Sequence, residues 1–238
     1  MVAREQSAVT LVLWDIDHTL IETRGVGRAI YDRAFPAATG RRLEQLAQIS
    51  GRTELDIMAE SLRINGIEPT EGNIANLAAA LVQGYEHTRD ELADKGRTLP
   101  GAKEALQSLA ADARFHQAVL TGNLREVARI KLEVFGLNSY LDLDSSSYGD
   151  DDASRSALVT IAQQRAREHT GQSFDNAHTV LIGDTPNDIQ AALTAGVRVI
   201  GVASGKSTTE DLREAGARDV LEDLRQIEAL RVFLGAHR

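Results

Sequence analysis

The sequence predicts an α/β protein built on a doubly wound parallel sheet, with an all-helical segment inserted after the first strand. Three observations carry this. Four continuous apolar, β-rich runs (9–14, 118–121, 179–182 and 197–202) each end at turn-forming or acidic residues. Amphipathic stretches at 124–135, 156–169 and 188–195 separate the later runs. Residues 22–98 carry helical periodicity and no buried strand. Strands alternating with helices belong to parallel sheets, whose strands are buried on both faces and read as unbroken apolar runs.

Val9-Thr10-Leu11-Val12-Leu13-Trp14 is the first such strand, with Trp14 assigned to the core, and Asp15 and Asp17 follow at its carboxyl end. The segment 22–98 then offers helical patterns at 27–35, 55–62 and 73–92, before Thr98-Leu99-Pro100-Gly101 marks a turn back to the sheet. The expected division is therefore a core of residues 1–21 and 99–238 and a helical cap domain of residues 22–98. The second strand, 118–121, stops at Gly122-Asn123, the third at Gly183-Asp184, and the fourth near Ala203-Ser204-Gly205. In open α/β sheets ligands bind outside the carboxyl ends of the strands.

Composition narrows the function. The 238 residues are 42% hydrophobic and 26% charged, ordinary for a globular chain, so a metal here serves chemistry rather than folding. A net charge of −9 without a basic stripe argues against a nucleic-acid partner. The absence of cysteine excludes disulfides, thiol catalysis and thiolate-bound zinc, and fits a reducing compartment. Residues 1–10 hold no apolar signal core, and the run ending at Trp14 is too short to span a bilayer, so a cytoplasmic location without membrane attachment is expected.

Three groups of residues carry chemistry. In Asp15-Ile16-Asp17-His18-Thr19, two carboxylates just past a strand converge on one spot. Asp-x-Asp is also common in turns and helix caps. Functionally, a few carboxylates and a substrate phosphate satisfy a hard cation such as Mg²⁺. Asp15 is placed to attack phosphorus, and Asp17 to protonate the leaving alkoxide and then activate water. His18 reads as a loop residue. Thr121, with Gly122 and Asn123, supplies a hydroxyl and main-chain N–H groups at a helix start, an anion site unless Thr121 is only a helix cap. In Gly183-Asp184-Thr185-Pro186-Asn187-Asp188, Asp184 reaches a metal and Asp188 supports it.

DIDHT at 15–19, VLTGN at 119–123 and GDTPND at 183–188, in this order and each at a strand end, resemble the motifs of the haloacid dehalogenase-like hydrolase superfamily, in its helical-cap, phosphoglycolate phosphatase-like branch. The resemblance covers essentially the whole chain. It implies a Rossmann-like core, Mg²⁺, an aspartyl-phosphate intermediate, and a cap closing over a small phosphorylated metabolite. It also implies metal ligation by Asp15, the main-chain carbonyl of Asp17, and Asp184, with Asp188 in support, and substrate contacts from Thr19, Gly122 and Asn123.

One motif departs from that pattern. The lysine usual before the last motif is absent from Gly149-Asp150-Asp151-Asp152-Ala153-Ser154-Arg155-Ser156. Its role falls to Arg155 or to Lys131, with Lys131 preferred because Ile130 and Leu132 flank it, although ten residues of ideal helix place it about 15 Å beyond Thr121. In the cap, Ser50-Gly51-Arg52-Thr53 suggests that Arg52 reads the leaving group, which would suit an acidic, phosphoglycolate-like substrate, unless Thr53 merely caps a helix.

Asp17 argues against a metal-free dehalogenase, which lacks an acid at that position. A phosphonatase needs a cap lysine, and the cap offers only Lys95. A sugar phosphomutase shares both aspartates and remains an alternative, as does a non-catalytic binding protein on the same fold. The sequence leaves the oligomeric state open.

Overall fold

The computed structural model describes residues 9–235. The polar residues before Val9 and the last three of the expected core lie outside the described residues. Six parallel strands form one sheet: β1 (Thr10–Trp14), β4 (Phe115–Leu120), β5 (Asp142–Ser147), β6 (Thr179–Gly183), β7 (Arg198–Val202) and β8 (Asp219–Leu221). Their spatial order is β5-β4-β1-β6-β7-β8. Chain order thus runs outward from β1 through β4 to β5, then returns to β6 on the other side. The reversal sits at β1, and its crevice lies beyond the carboxyl ends of β4, β1 and β6.

Alternation along β1 shows why both faces are apolar. Val12 and Trp14 join one cluster with α5 (Ala102–Ala110), α6 (Arg125–Val134) and α10 (Ile227–Gly235). Leu11 and Leu13 point the other way, toward α7 (Arg155–Thr170), α8 (Pro186–Ala195) and α9 (Thr209–Glu214). The Trp14 indole N–H, buried with its ring, donates to Gln117 Oε1 at 3.1 Å.

Between β1 and α5 lies the helical insert: α1 (Val26–Thr39), α2 (Glu54–Ile64), α3 (Glu71–His87) and α4 (Arg89–Lys95). It leaves and rejoins the core through a two-residue antiparallel ribbon, β2 (Ile21–Glu22) against β3 (Arg97–Thr98). The periodic stretch 73–92 is two helices rather than one, broken at Thr88, whose hydroxyl donates to Gly84 O at 2.7 Å. The insert has its own apolar cluster, which takes in Leu124, Val127 and Ile130. Helix α6 is therefore sandwiched, with Ala128 and Leu132 toward the sheet and Val127 and Ile130 toward the insert.

In the six-stranded sheet, β5 and β8 go beyond the four apolar runs, as do the two short strands of the β2–β3 ribbon. Among the described residues no helix is long and apolar enough to cross a membrane.

Candidate active site

Asp15, Thr121 and Asp184 stand at the carboxyl ends of three adjacent strands, β1, β4 and β6, and all are buried. Asp15 N donates to Ile182 O at 2.9 Å, which fixes the start of the loop after β1. That loop folds back tightly: Leu20 and Ile21 both donate to Ile16 O, and His18 takes a left-handed φ of 62°. His18 is thus a loop residue, its carbonyl accepting from Ser204 Oγ at 2.6 Å.

Asp188 is positioned by a capping box. Thr185 Oγ1 accepts from Asp188 N, while Asp188 Oδ2 accepts from Thr185 N (3.0 Å) and Thr185 Oγ1 (2.6 Å), and Pro186 opens the helix. A β-carbon at Gly183 would lie 2.4 Å from Asp188 Cγ, so only glycine lets this carboxylate tuck against the strand end.

The two candidate cations meet different carboxylates. Arg155 Nη2 lies 2.7 Å from Asp15 Oδ1 and 2.5 Å from Asp188 Oδ1. Lys131 Nζ reaches both oxygens of Asp17 (2.8 and 2.7 Å) and Asn123 Oδ1 (2.7 Å). The cation on Asp15 is Arg155, not the preferred Lys131. Lys131 is nevertheless 3% exposed and inside the site, because α6 buries two faces and the lysine projects between them. Its distance along the helix from Thr121 did not matter, since Asp17 comes to meet it from the loop after β1.

The charge states follow. Burial pushes Asp15 up to about 7, with Arg155 opposing and the charges of Asp188 and Asp17 adding. Burial likewise pushes Asp184 up to about 8, with Asp15 and Asp188 adding and the Thr19 hydroxyl and Arg155 opposing. Burial would raise Asp17 as well, but the Lys131 charge and hydrogen bonds from Lys131 and Asn123 hold it below the usual carboxylate range. Burial works against the charge of Arg155, yet Asp188 and Asp15 outweigh it and keep the guanidinium protonated.

Asp15, Asp184 and Asp188 each offer a carboxylate oxygen within 4.8 Å of the others. Asp188 Oδ1 is buried and ion-paired with Arg155. Three converging acids, two of them driven upward by burial and by the neighbouring carboxylates, are what a divalent cation with oxygen ligands would neutralise. The donor set fits such a group.

A family model for haloacid dehalogenase-like hydrolases matches residues 12–202. The chain belongs to that hydrolase family. It is 28% identical over 233 residues to a protein named probable phosphatase IndB from Dickeya dadantii, covering 91% of each chain. It is 28% identical to a phosphoglycolate phosphatase from Agrobacterium fabrum, covering 82% of this chain and 81% of that one. Among solved structures, a hydrolase from Pseudomonas syringae superposes with a TM-score of 0.68 at 24% identity, over 94% of this chain and 98% of that one.

The strand-end carboxylates face a cavity of about 450 Å³. Asp15, Asp17, Thr121, Gly122, Asn123, Lys131, Arg155 and Asp184 line it from the core. Tyr31, Arg52, Glu54 and Tyr85 line it from the insert. The two parts touch through main chain: Glu54 N donates to Gly122 O (2.7 Å) and Leu55 N to Gly149 O (3.2 Å). A β-carbon at Gly122 would stand 2.1 Å from Arg52 O, so this approach needs glycine.

Several expected substrate contacts are spoken for by protein groups. Thr19 is fully buried and donates to Asp184 Oδ1 at 3.2 Å, bracing a carboxylate instead of lining the cavity. Asn123 N donates to Thr121 Oγ1 (3.3 Å), and Asn123 Nδ2 donates to Thr121 Oγ1 (2.8 Å) and Asp17 Oδ2 (2.7 Å). Asn123 thus works as a bridge. Thr121 is not a helix cap, since α6 is capped at Leu124. Arg52 lines the cavity, but Asp56 (2.7 Å), Glu60 (2.5 Å) and Gln48 O (3.2 Å) occupy its guanidinium. Thr53 does begin α2, yet its hydroxyl donates across to Ala153 O at 3.0 Å.

Glu54, Tyr31 and Tyr85 escaped the sequence reading. Each sits in an amphipathic pattern that helix packing explains equally well, and only the fold brings them to one wall.

Proposed function

We propose that this hydrolase cleaves small phosphomonoesters through an aspartyl-phosphate on Asp15. One observation carries the reading: a carboxylate at the end of β1 is held by a buried arginine, beside a second acid, Asp17, with its own buried lysine. Arg155 orients Asp15 Oδ1 and offers positive charge where phosphate charge accumulates. Asp17, fixed by Lys131 and Asn123, gives a proton to the departing alkoxide and takes one from the water that cleaves the acyl phosphate. Held ionised by Lys131, Asp17 is ready for the second step; for the first it takes its proton from the monoanionic form of the phosphomonoester and passes it to the alkoxide. The curated relatives named as phosphatases support this chemistry.

Mg²⁺ is the ion we assign to the acidic cluster, held by Asp15, the Asp17 carbonyl and Asp184, with Asp188 behind them. Bound there, it would screen the charge of the phosphate. Residues 22–98 act as a cap over a core of 1–21 and 99–238, with the β2–β3 ribbon as the hinge and the cavity as the reaction chamber. Excluding water there strengthens each of these electrostatic contacts.

Phosphate release from p-nitrophenyl phosphate, with and without Mg²⁺, tests the reading. Asp15→Asn should retain the circular dichroism spectrum and fall below about a hundredth of wild-type kcat. EDTA should abolish turnover, and Mg²⁺ should restore it in preference to Ca²⁺, which favours more ligands at longer distances. A fully active Asp15→Asn variant, or full activity in EDTA, would contradict it.

A further inference from the structure

The insert places an acceptor-rich wall where the leaving group must lie. Asp17 hands its proton to the departing oxygen, so the alcohol portion of the substrate sits on the Asp17 side of the cavity, beneath the insert. Glu54 lines the cavity there and feels the charges of Lys131 and Asp17. Its Oε1 accepts from the Tyr31 hydroxyl. Its Oε2 takes no hydrogen bond from the described residues, and Glu54 is only partly buried, so this oxygen is available to a ligand. Tyr31 itself is buried, with its hydroxyl committed to Glu54.

Cations that would balance a substrate carboxylate are scarce on this wall. Lys131 is bound to Asp17 and Asn123, and Arg52 to Asp56 and Glu60. Arg24 and Arg28 stand at the rim, each about half exposed and each beside its own acid, Glu22 and Asp32. Lys206 lines the cavity from the core and is exposed.

We infer that Glu54, braced by Tyr31, is the leaving-group subsite, and that it selects phosphomonoesters whose alcohol carries a hydroxyl or ammonium donor over those carrying a carboxylate. This rests on the phosphatase reading above. A donor supplies the partner that Glu54 Oε2 lacks, whereas a carboxylate would face an acid and an occupied arginine. The relatives named phosphoglycolate phosphatases are 28% identical, a distance at which the wall of a cap can change its chemistry while the strand ends do not.

The test is kcat/KM with Mg²⁺ for glycerol phosphate, phosphoethanolamine, phosphoglycolate and p-nitrophenyl phosphate, on wild type, Glu54→Gln and Tyr31→Phe. Wild type should favour at least one donor-bearing ester over phosphoglycolate by about tenfold or more, the scale of a single polar contact in a closed site. Glutamine keeps the size and the acceptor for Tyr31 but removes the charge. Glu54→Gln should therefore shift the phosphoethanolamine-to-phosphoglycolate ratio toward phosphoglycolate by about tenfold, and the glycerol phosphate ratio by less. Tyr31→Phe should move both ratios the same way, more weakly.

A larger loss for phosphoethanolamine identifies the ammonium arm as the one Glu54 reads, and equal losses identify the hydroxyl arm. A wild type preferring phosphoglycolate overturns the inference, as does a folded Glu54→Gln with unchanged ratios. No turnover of any ester, p-nitrophenyl phosphate included, overturns the phosphatase reading and this inference with it. Turnover of p-nitrophenyl phosphate with a reversed preference overturns the inference alone.

Discussion

Arg155 and Lys131 are both buried and both bound to acids, yet their removal should be felt differently. Arg155→Ala strips the cation from two buried carboxylates, Asp15 and Asp188. Breaking such a cluster costs about 3–5 kcal/mol, so its urea midpoint in EDTA should fall sharply. Lys131→Ala instead frees Asp17 from the group that lowers its pKa. Its kcat should drop about tenfold or more, and the acid limb of the pH–rate profile should move upward. An unmoved acid limb would remove Lys131 from the role of tuning Asp17. The acidic cluster gives a third prediction. Burial pushes Asp15 up to about 7 and Asp184 up to about 8 in the folded protein, above their ordinary value of 3.8. Raised carboxyl pKa values mean that the folded state holds protons the unfolded state has released. Without metal, stability should therefore decline as pH rises from about 4 to 8, and Mg²⁺ should flatten that decline; thermal melts in EDTA and in Mg²⁺ read it directly. Every residue in this argument was visible in the sequence. The pairing was not, because residue spacing along α6 cannot show which of its two apolar faces turns toward the sheet.

Strand β5 shows where periodicity stops being informative. Asp142-Leu143-Asp144-Ser145-Ser146-Ser147 has neither an apolar run nor clean alternation. It lies at the sheet edge, where polar strands are tolerated, and its ladder with β4 slips between Ala118 and Leu120. At the slip a side chain does the work of a main-chain partner: Val119 N donates to Ser146 Oγ at 2.8 Å, and Ser146 Oγ donates to Asp142 O at 2.7 Å. Ser146→Val matches the shape and β-propensity expected of a strand but orphans a buried N–H. It should destabilise by about 1–3 kcal/mol in chemical denaturation, whereas Ser146→Thr, which keeps the hydroxyl, should cost much less. Equal costs for the two would show that volume, not the hydrogen bond, governs the position. By contrast β1, β4, β6 and β7, buried on both faces, could hardly be read as anything else.

At the scale of the molecule, the doubly wound sheet and the place of the insert were legible because each strand end carries its own punctuation. The β2–β3 ribbon, Ile21–Glu22 against Arg97–Thr98, is followed by the turn at Pro100-Gly101. How the start of α2 meets the core was not legible, since there the contact is made by main chain, Glu54 N to Gly122 O and Leu55 N to Gly149 O, and leaves no residue signature beyond its glycines. It has a consequence for time as well as for structure. A helix begins with N–H groups that its own turns cannot satisfy. In α2, Thr53 spends its hydroxyl on Ala153, and the amides of Glu54 and Leu55 find partners across the cleft at Gly122 and Gly149. On the cap reading proposed above, those two protons are shielded only while the chamber is shut. Their deuterium uptake works as a clock on its door: it should slow when inorganic phosphate and Mg²⁺ are added, while amides in the middle of α2 keep their pace. If Glu54 and Leu55 exchange at the same rate with and without phosphate, phosphate does not hold the door shut. If they slow, repeating the measurement at a pH high enough that every opening leads to exchange gives the opening frequency, an upper bound on how often product can leave.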